Sequence, residues 1–255
     1  MKRVLLTGAA GFLGSHALRH LLINTDWEIV CPVTFRHRGK PARIVTQMQG
    51  IEHAEKRVDI LRWDMTAPAD DILIRMIGDV DYIINYASES HVDRSIEAPA
   101  PFVAHNVAVV LNALELARRI QPQAMVQIST DEVYGPGPAG HNHAEWETAM
   151  PSNPYAASKA AQEAIAFSYW RTYGVPVLVT NCMNLIGELQ DQEKFIPLTM
   201  RRIARGEPIP IHARRNDDGS WTAGSRMYLH ARNLADAVLF LLNRGAPAAY
   251  ADGAD

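Results

Sequence analysis

The stretch TGAAGFLG, Thr7 to Gly14, decides the fold. An apolar run, KRVLLTG, leads into it, and FLGSHALRHLLI follows with apolar residues at helical spacing. The first reads as a buried strand and the second as a helix whose Phe12, Leu13, Ala17, Leu21 and Leu22 share a face. Gly8, Gly11 and Gly14 therefore sit at G-x-x-G-x-x-G spacing between a strand and a helix. Glycine allows a tight turn and lets the backbone approach a pyrophosphate. The helix N-terminus adds free N–H groups and partial positive charge. A bare glycine triplet is weak; this one lies in the context the mechanism requires. Gly8, Gly11, Phe12, Leu13 and Gly14 are expected to hold a dinucleotide.

Strands and helices then alternate. WEIVCPV, DYIINYA, AMVQIST and VPVLVTN read as strands, and NVAVVLNALELARRI and YAASKAAQEAIAFSYWRTYG as helices. Alternation of this kind predicts an α/β, Rossmann-type, doubly wound parallel sheet covered on both faces. After about Asn184 the pattern changes. EKFIPLTMRRIARGE reads as a helix, PIPIHA as a strand, RRNDDGSWTAGS as an exposed loop, and NLADAVLFLLNRG as a final helix. The expected division is a dinucleotide-binding domain over 1–180 and a smaller substrate lobe over 181–255.

Composition excludes some partners. Apolar residues at 47% support a sizeable core, while 21% charged residues and a net charge of −3 do not suggest a nucleic-acid binder. No uninterrupted apolar run reaches about 18 residues, so no membrane span is expected. The N-terminal apolar stretch breaks into glycines too soon for a signal peptide. Cys31 and Cys182 lack metal-ligand spacing and read as buried thiols in a reducing cytoplasm. No metal site is expected.

In such folds an acid after the second strand usually bonds the adenosine ribose. Here Cys31 and Pro32 occupy that place, followed by Arg36, His37, Arg38 and Lys40. These basic groups either accept a 2′-phosphate, which would favour NADP, or form a solvated loop. Asp64 and Met65, after a third strand, either meet the adenine or make a strand-end turn.

Tyr155 and Lys159 in YAASKAA lie four residues apart, on one face of a helix. A lysine ammonium beside a phenol lowers its pKa from about 10 and lets it act as a base. ISTDEVYG, Ile128 to Gly135, places Asp131 and Glu132 side by side at a strand end. Two acids in one dry pocket resist joint ionisation, so the pair reads either as one acid and one base held for chemistry or as a capped turn with solvated acids.

The segments TGAAGFLGSH, ESHVDRSI, STDEVYG, NPYAASKAA, RTYGVPVLVTNC and EKFIPL resemble the extended short-chain dehydrogenase/reductase family, and within it the nucleotide-sugar 4,6-dehydratases. The resemblance covers nearly the whole chain, and STDEVYG is its most specific element. It implies NAD as cofactor, so NAD and NADP both stand open at this point. It implies that Tyr155 takes the proton from the sugar 4-hydroxyl while hydride leaves C4. Lys159 lowers the Tyr155 pKa, and Thr130 bonds the 4-oxygen. Glu132 removes the C5 proton, Asp131 protonates the departing 6-hydroxyl, and hydride returns to C6. It also places Tyr86, Ala87, Ser88 and His105 on the cofactor. Ser90, His91, Asn184, Glu193, Lys194, Phe195, Pro210, His212 and Arg226 are implied to bind a nucleotide-diphospho-hexose such as dTDP-glucose. A homodimer through the two long helices is implied as well. A 4-epimerase of the same fold, and an inactive nucleotide-binding scaffold, are the rival readings.

Several positions depart from the pattern. Met183, Leu185, Ile186 and Glu188 replace the family's Ser, Asn, Tyr and Pro, while Met227 and His230 stand where Asp and Tyr are usual. His105 replaces a threonine, and RRNDDGSWTAGS is longer than its counterpart. The chain ends at AAYADGAD, where the resemblance implies a further strand and helices, so a shortened substrate lobe is expected.

Overall fold

The computed structural model describes residues 1–35, 38–138, 140–211 and 213–244; Arg36 and His212 lie outside the described residues. Six strands form a wholly parallel sheet: β1 (Arg3–Thr7), β2 (Glu28–Val33), β3 (Val58–Arg62), β4 (Tyr82–Asn85), β5 (Ala124–Thr130) and β6 (Val177–Cys182). Their order is β3-β2-β1-β4-β5-β6. Growth reverses between β1 and β4, which opens a crevice at the C-terminal ends of these strands.

The helices are α1 (Phe12–Asn24), α2 (Pro41–Met48), α3 (Ala54–Arg57), α4 (Asp71–Ile77), α5 (Val92–Glu97), α6 (Pro99–Ile120), α7 (Pro154–Tyr173), α8 (Phe195–Ala204) and α9 (Ala231–Arg244). Alternate residues of each central strand point to opposite faces. Val4, Leu6, Ile84 and Val126 meet Leu18 and Leu21 of α1 on one face. Leu5, Ile83 and Met125 meet Val110 and Leu114 of α6 and Ala166 of α7 on the other. Both faces being covered explains why β1 and β4 read as unbroken apolar runs.

By length and composition α6 could cross a membrane, with a mean hydropathy of 1.4 over its best window. It serves as a core helix instead. Half of that window is buried, and the buried Asn112 amide donates to the Met65 carbonyl at 2.9 Å.

The segment after residue 180 differs from expectation in two ways. Leu234, Ala235, Val238 and Leu242 of α9 lie in the same apolar cluster as α1 and β1. The division at residue 180 therefore does not describe where this helix goes: its apolar stripe covers the nucleotide-binding sheet. Second, residues 208–211 of PIPIHA form no strand, and the supposed loop beyond is a hairpin. In it β8 (Ala213–Arg215) pairs antiparallel with β9 (Trp221–Ala223). The Asn-Asp-Asp-Gly turn drives it, with Asn216 donating to the Ser220 and Thr222 hydroxyls at 2.8 Å each. Two more short strands, β7 (Asn184–Ile186) and β10 (Tyr228–His230), pair in parallel and lead into α9.

Candidate active site

The crevice is a cleft of about 430 Å³ above β1, β4 and β5. The glycine loop forms its floor. Gly8 has φ +68°, and a Cβ there would lie 2.9 Å from the Tyr86 backbone. A Cβ on Gly14 would fall 2.2 Å from the Gly8 carbonyl oxygen, an impossible overlap with backbone. Gly11 caps α1 without a side-chain bond, and the first turn carries no acid. Free N–H groups and the positive helix end thus face the cleft, which fits a dinucleotide diphosphate. Phe12, Leu13, Tyr86, Ala87, Ser88 and His105 also line the cleft.

Asp64 and Met65 combine both readings offered for them. Asp64 lines the cleft, yet its Oδ1 also accepts the Thr66 N–H and hydroxyl at 3.1 and 2.7 Å, the bonds of a strand-end turn. Met65 lines the cleft and is buried in the core. Arg38, from the basic loop, is engaged by the Glu193 carboxylate rather than standing free for a 2′-phosphate.

Thr130, Glu132, Tyr155 and Lys159 converge on the opposite wall. Thr130 ends β5, and a short 3-10 turn, Asp131–Tyr134, carries the acids. Tyr155 and Lys159 lie in the first turns of α7, which starts at Pro154 after the cap Asn153. The Tyr155 ring meets Phe102 edge to face at 6.4 Å, and its N–H donates to Ser95 Oγ at 3.1 Å.

Two expectations need correction. Burial pushes the Tyr155 phenol well above its ordinary value, and the neighbouring Cys182 and Glu132 add to this; only a hydrogen bond to Thr130 opposes. The Lys159 ammonium is taken up by other partners. Its Nζ donates to the Ile128 carbonyl and to Gln162 Oε1, each at 2.6 Å, and burial pushes it down to about 8. Neither do the two acids share a dry pocket. Glu132 is half-buried on the wall, with the Asn153 amide donating to it at 3.3 Å. Asp131 is exposed and off the wall, accepting from the Thr130 hydroxyl at 3.3 Å. Exposure is what distinguishes them.

Sequence reasoning missed the row of amides behind Lys159. Thr7 Oγ1 donates to Asn85 Oδ1 at 2.6 Å, and Asn85 Nδ2 donates to Gln127 Oε1 at 2.7 Å. Gln127 Nε2 reaches Gln162 Oε1 at 3.2 Å, and Gln162 Nε2 donates to the Asn106 carbonyl at 2.7 Å. Every member is buried. The signal was present as polar residues inside apolar strands, at a place where an unpaired amide would be costly. Asn153 was missed as well, although Asn before Pro marks a helix start.

On the substrate side, Ser90, His91, Asn184, Glu193 and Lys194 line the cleft. Lys194 Nζ donates to the Ser90 carbonyl at 3.0 Å, and His91 stands 3.4 Å from Glu193. Phe195, Pro210 and Arg226 do not join them; all three are exposed and outside the cleft wall. Pro210 and Arg226 lie in a segment whose described residues are nearly all exposed, and Phe195 is 45% exposed at the start of α8, so little packing holds these side chains inward. Two departures from the family pattern pair with each other: His230 Nε2 lies 3.2 Å from the Glu188 carboxylate.

The profile of the NAD dependent epimerase/dehydratase family matches residues 4–251. The chain belongs to this family. Low-salt glycan biosynthesis protein Agl12 of Haloferax volcanii is 36% identical over 218 residues, covering 86% of this chain and 68% of that protein. A dTDP-glucose 4,6-dehydratase of Streptomyces antibioticus is 34% identical over 256 residues, covering 96% and 69%. The crystal structure of the dTDP-glucose 4,6-dehydratase DesIV of Streptomyces venezuelae, solved with NAD bound, superposes with a TM-score of 0.83 at 33% identity. That match covers 94% of this chain and 71% of the other.

For this family member the buried lysine has a thermodynamic signature. Its folded value of about 8 lies below the ordinary 10.5, so between these values the unfolded chain binds more protons. Stability therefore rises with pH across that window. Denaturant unfolding should show the wild type gaining stability relative to Lys159→Met from pH 8 to pH 10.5. A difference that stays flat over this range contradicts the buried, penalised ammonium.

Proposed function

We propose that this chain is a nucleotide-sugar 4,6-dehydratase that uses NAD and converts a nucleotide-diphospho-hexose, dTDP-glucose first among them, to its 4-keto-6-deoxy form. One observation carries the reading: an adjacent Asp131-Glu132 pair at the end of β5, with Glu132 on the same cleft wall as Tyr155. A 4-epimerase needs a base at the 4-hydroxyl but removes no C5 proton, so a second carboxylate there would have no task. The similarity to dTDP-glucose 4,6-dehydratases of more than 30% identity over most of the chain supports the same reading.

When bound, NAD supplies the hydride acceptor for C4 and the donor for C6. The protein's part is to hold and move protons. Tyr155 receives the proton of the sugar 4-hydroxyl, with Thr130 bonding the same oxygen. Burial alone opposes this task by favouring the neutral phenol, so the charge arrangement of the loaded cleft has to bring the phenol into range. The resulting 4-keto group acidifies the C5 hydrogen, which Glu132 removes. Its half-buried carboxylate is held by the Asn153 amide, which fixes its direction. Asp131, on the solvent side of the turn, is assigned the proton for the departing 6-hydroxyl and has to swing to the cleft edge to deliver it. Lys194 and His91, flanking Glu193, stand where an anionic diphosphate or sugar hydroxyls would meet them. The reaction is intracellular biosynthesis in character, and we place the protein in the cytoplasm. Leu111 of α6 and Phe167 of α7 are 39% and 50% exposed, and we assign this apolar face to a homodimer interface. Light scattering should return twice the chain mass; a monomer contradicts it.

Incubation with dTDP-, UDP-, GDP- and CDP-hexoses tests the function, with the 4-keto product read by its ultraviolet absorbance in alkali. One of these should give a keto product. Glu132→Gln should lower the rate by about 10²-fold or more, the usual worth of a positioned general base. Activity unchanged in Glu132→Gln, or no keto product from any of them, contradicts the proposal.

A further inference from the structure

The loop joining the Asp131–Tyr134 turn to α7 holds a cluster that the proposed reaction leaves unused. His141, His143 and Glu147 converge there, with their ligating atoms all within 4.8 Å of one another. Oε2 of Glu147 faces both rings, His143 Nδ1 at 2.7 Å and His141 Nε2 at 3.2 Å. Oε1 accepts the Ala144 N–H at 2.9 Å. That backbone bond fixes the rotation of the carboxylate and leaves Oε2 aimed between the imidazoles. The rings are held as well. His143 stacks on Tyr134, with centroids 5.4 Å apart and planes at 17°, and the two imidazoles meet edge to face at 4.8 Å. Gly137 makes room beneath them: a Cβ there would come within 3.1 Å of His143 Nε2 and 3.2 Å of His141 Cδ2.

We propose that His141, His143 and Glu147 bind one divalent transition-metal ion, with Zn²⁺ the best fit. Two imidazole nitrogens and one carboxylate oxygen are a donor set that zinc takes, with a water completing the tetrahedron. Ligands about 2.0–2.2 Å from such an ion stand roughly 3.3 Å apart. The carboxylate–imidazole separations of 3.2 and 2.7 Å are near that spacing, while the set as a whole spans up to 4.8 Å, so the imidazoles draw together as the ion binds. Ca²⁺ and Mg²⁺ fit poorly, because they favour oxygen ligands in larger number. Both histidines are exposed, which leaves the fourth position open to solvent. An expectation drawn from cysteine spacing alone had no means of finding this cluster.

The ion lies outside the catalytic cleft, since none of its three ligands lines that wall. Its role is a brace. The Met150 N–H donates to the Val133 carbonyl at 2.9 Å, so the loop closes back onto the turn that carries Asp131 and Glu132. Tyr134 belongs to that turn and also supports His143. Binding ties residues 141–147 in the middle of the loop together through one metal centre and, through His143 on Tyr134, stiffens the acid-bearing turn.

The test uses the chain stripped of metal by a chelator and titrated with Zn²⁺, followed by calorimetry. A parallel titration with Co²⁺ is followed by visible ligand-field absorption. One equivalent should bind, with the absorption of a tetrahedral cobalt site. His143→Ala and Glu147→Gln should each weaken binding by more than about tenfold. His53→Ala, on an exposed histidine elsewhere, should leave it unchanged. Metal-free melting temperatures of the variants show whether they fold as the wild type does. Limited proteolysis should find the 136–150 loop protected by Zn²⁺ in the wild type and not in either ligand variant. The absence of saturable binding, or binding that survives both ligand substitutions, overturns the proposal.

Discussion

The buried ammonium of Lys159 is the constraint on which the rest of the site depends. A charge under the sheet's C-terminal edge is tolerated only with partners, and two are provided: the Ile128 carbonyl and Gln162. Gln162 is itself held through Gln127, Asn85 and Thr7, so the row crosses β5, β4 and β1 to the strand that leads into the glycine loop. The catalytic helix and the cofactor loop are thus tied together by a row that begins at Gln162 of α7 and ends at Thr7, the residue before Gly8. Leaving a buried amide of this kind unpaired costs about 1–3 kcal/mol, so each member depends on the next. The same row keeps α7 in register with the end of β5, which positions Tyr155 opposite Thr130 and Glu132.

Backbone crowding at the glycine loop is the second constraint. Gly14 leaves no space for a Cβ against the Gly8 carbonyl, so α1 presses directly on the turn and presents its open N-terminus to the cleft. The family's nucleotide site therefore follows from two close approaches of main chain. On the other side of α1, α9 completes the cover of the sheet. Residues far along the chain in this way support the first turn of the fold.

Much of this was legible in the sequence. The strand–glycine–helix punctuation of Thr7–Gly14 and the alternation after it specify the parallel sheet, because period and breaker signals are local. Tyr155 and Lys159 were placed on one helix face by spacing alone. What spacing does not reveal is direction. Lys159 turns toward Ile128 and Gln162 because those acceptors are buried beside it, a tertiary fact. Asp131 and Glu132 read as equivalent neighbours, yet successive residues of a 3-10 turn point to different sides, one to solvent and one to the cleft. The substrate side was the least legible. Phe195, Pro210 and Arg226 were placed by resemblance, and side chains on exposed segments take positions that no buried neighbour dictates. The hairpin over Ala213–Ala223 was hidden because its strands carry no apolar alternation; only its turn residues mark it.

The central claim is that one cleft oxidises C4, eliminates water across C5 and C6, and returns the same hydride to C6. A sugar nucleotide carrying deuterium at C4 tests it directly. Mass spectrometry and NMR of the product should find the deuterium on C6 of a 4-keto-6-deoxy sugar, with no net consumption of NAD. Deuterium retained at C4, in substrate or its 4-epimer, or lost to a stoichiometric pool of reduced cofactor, would contradict the account.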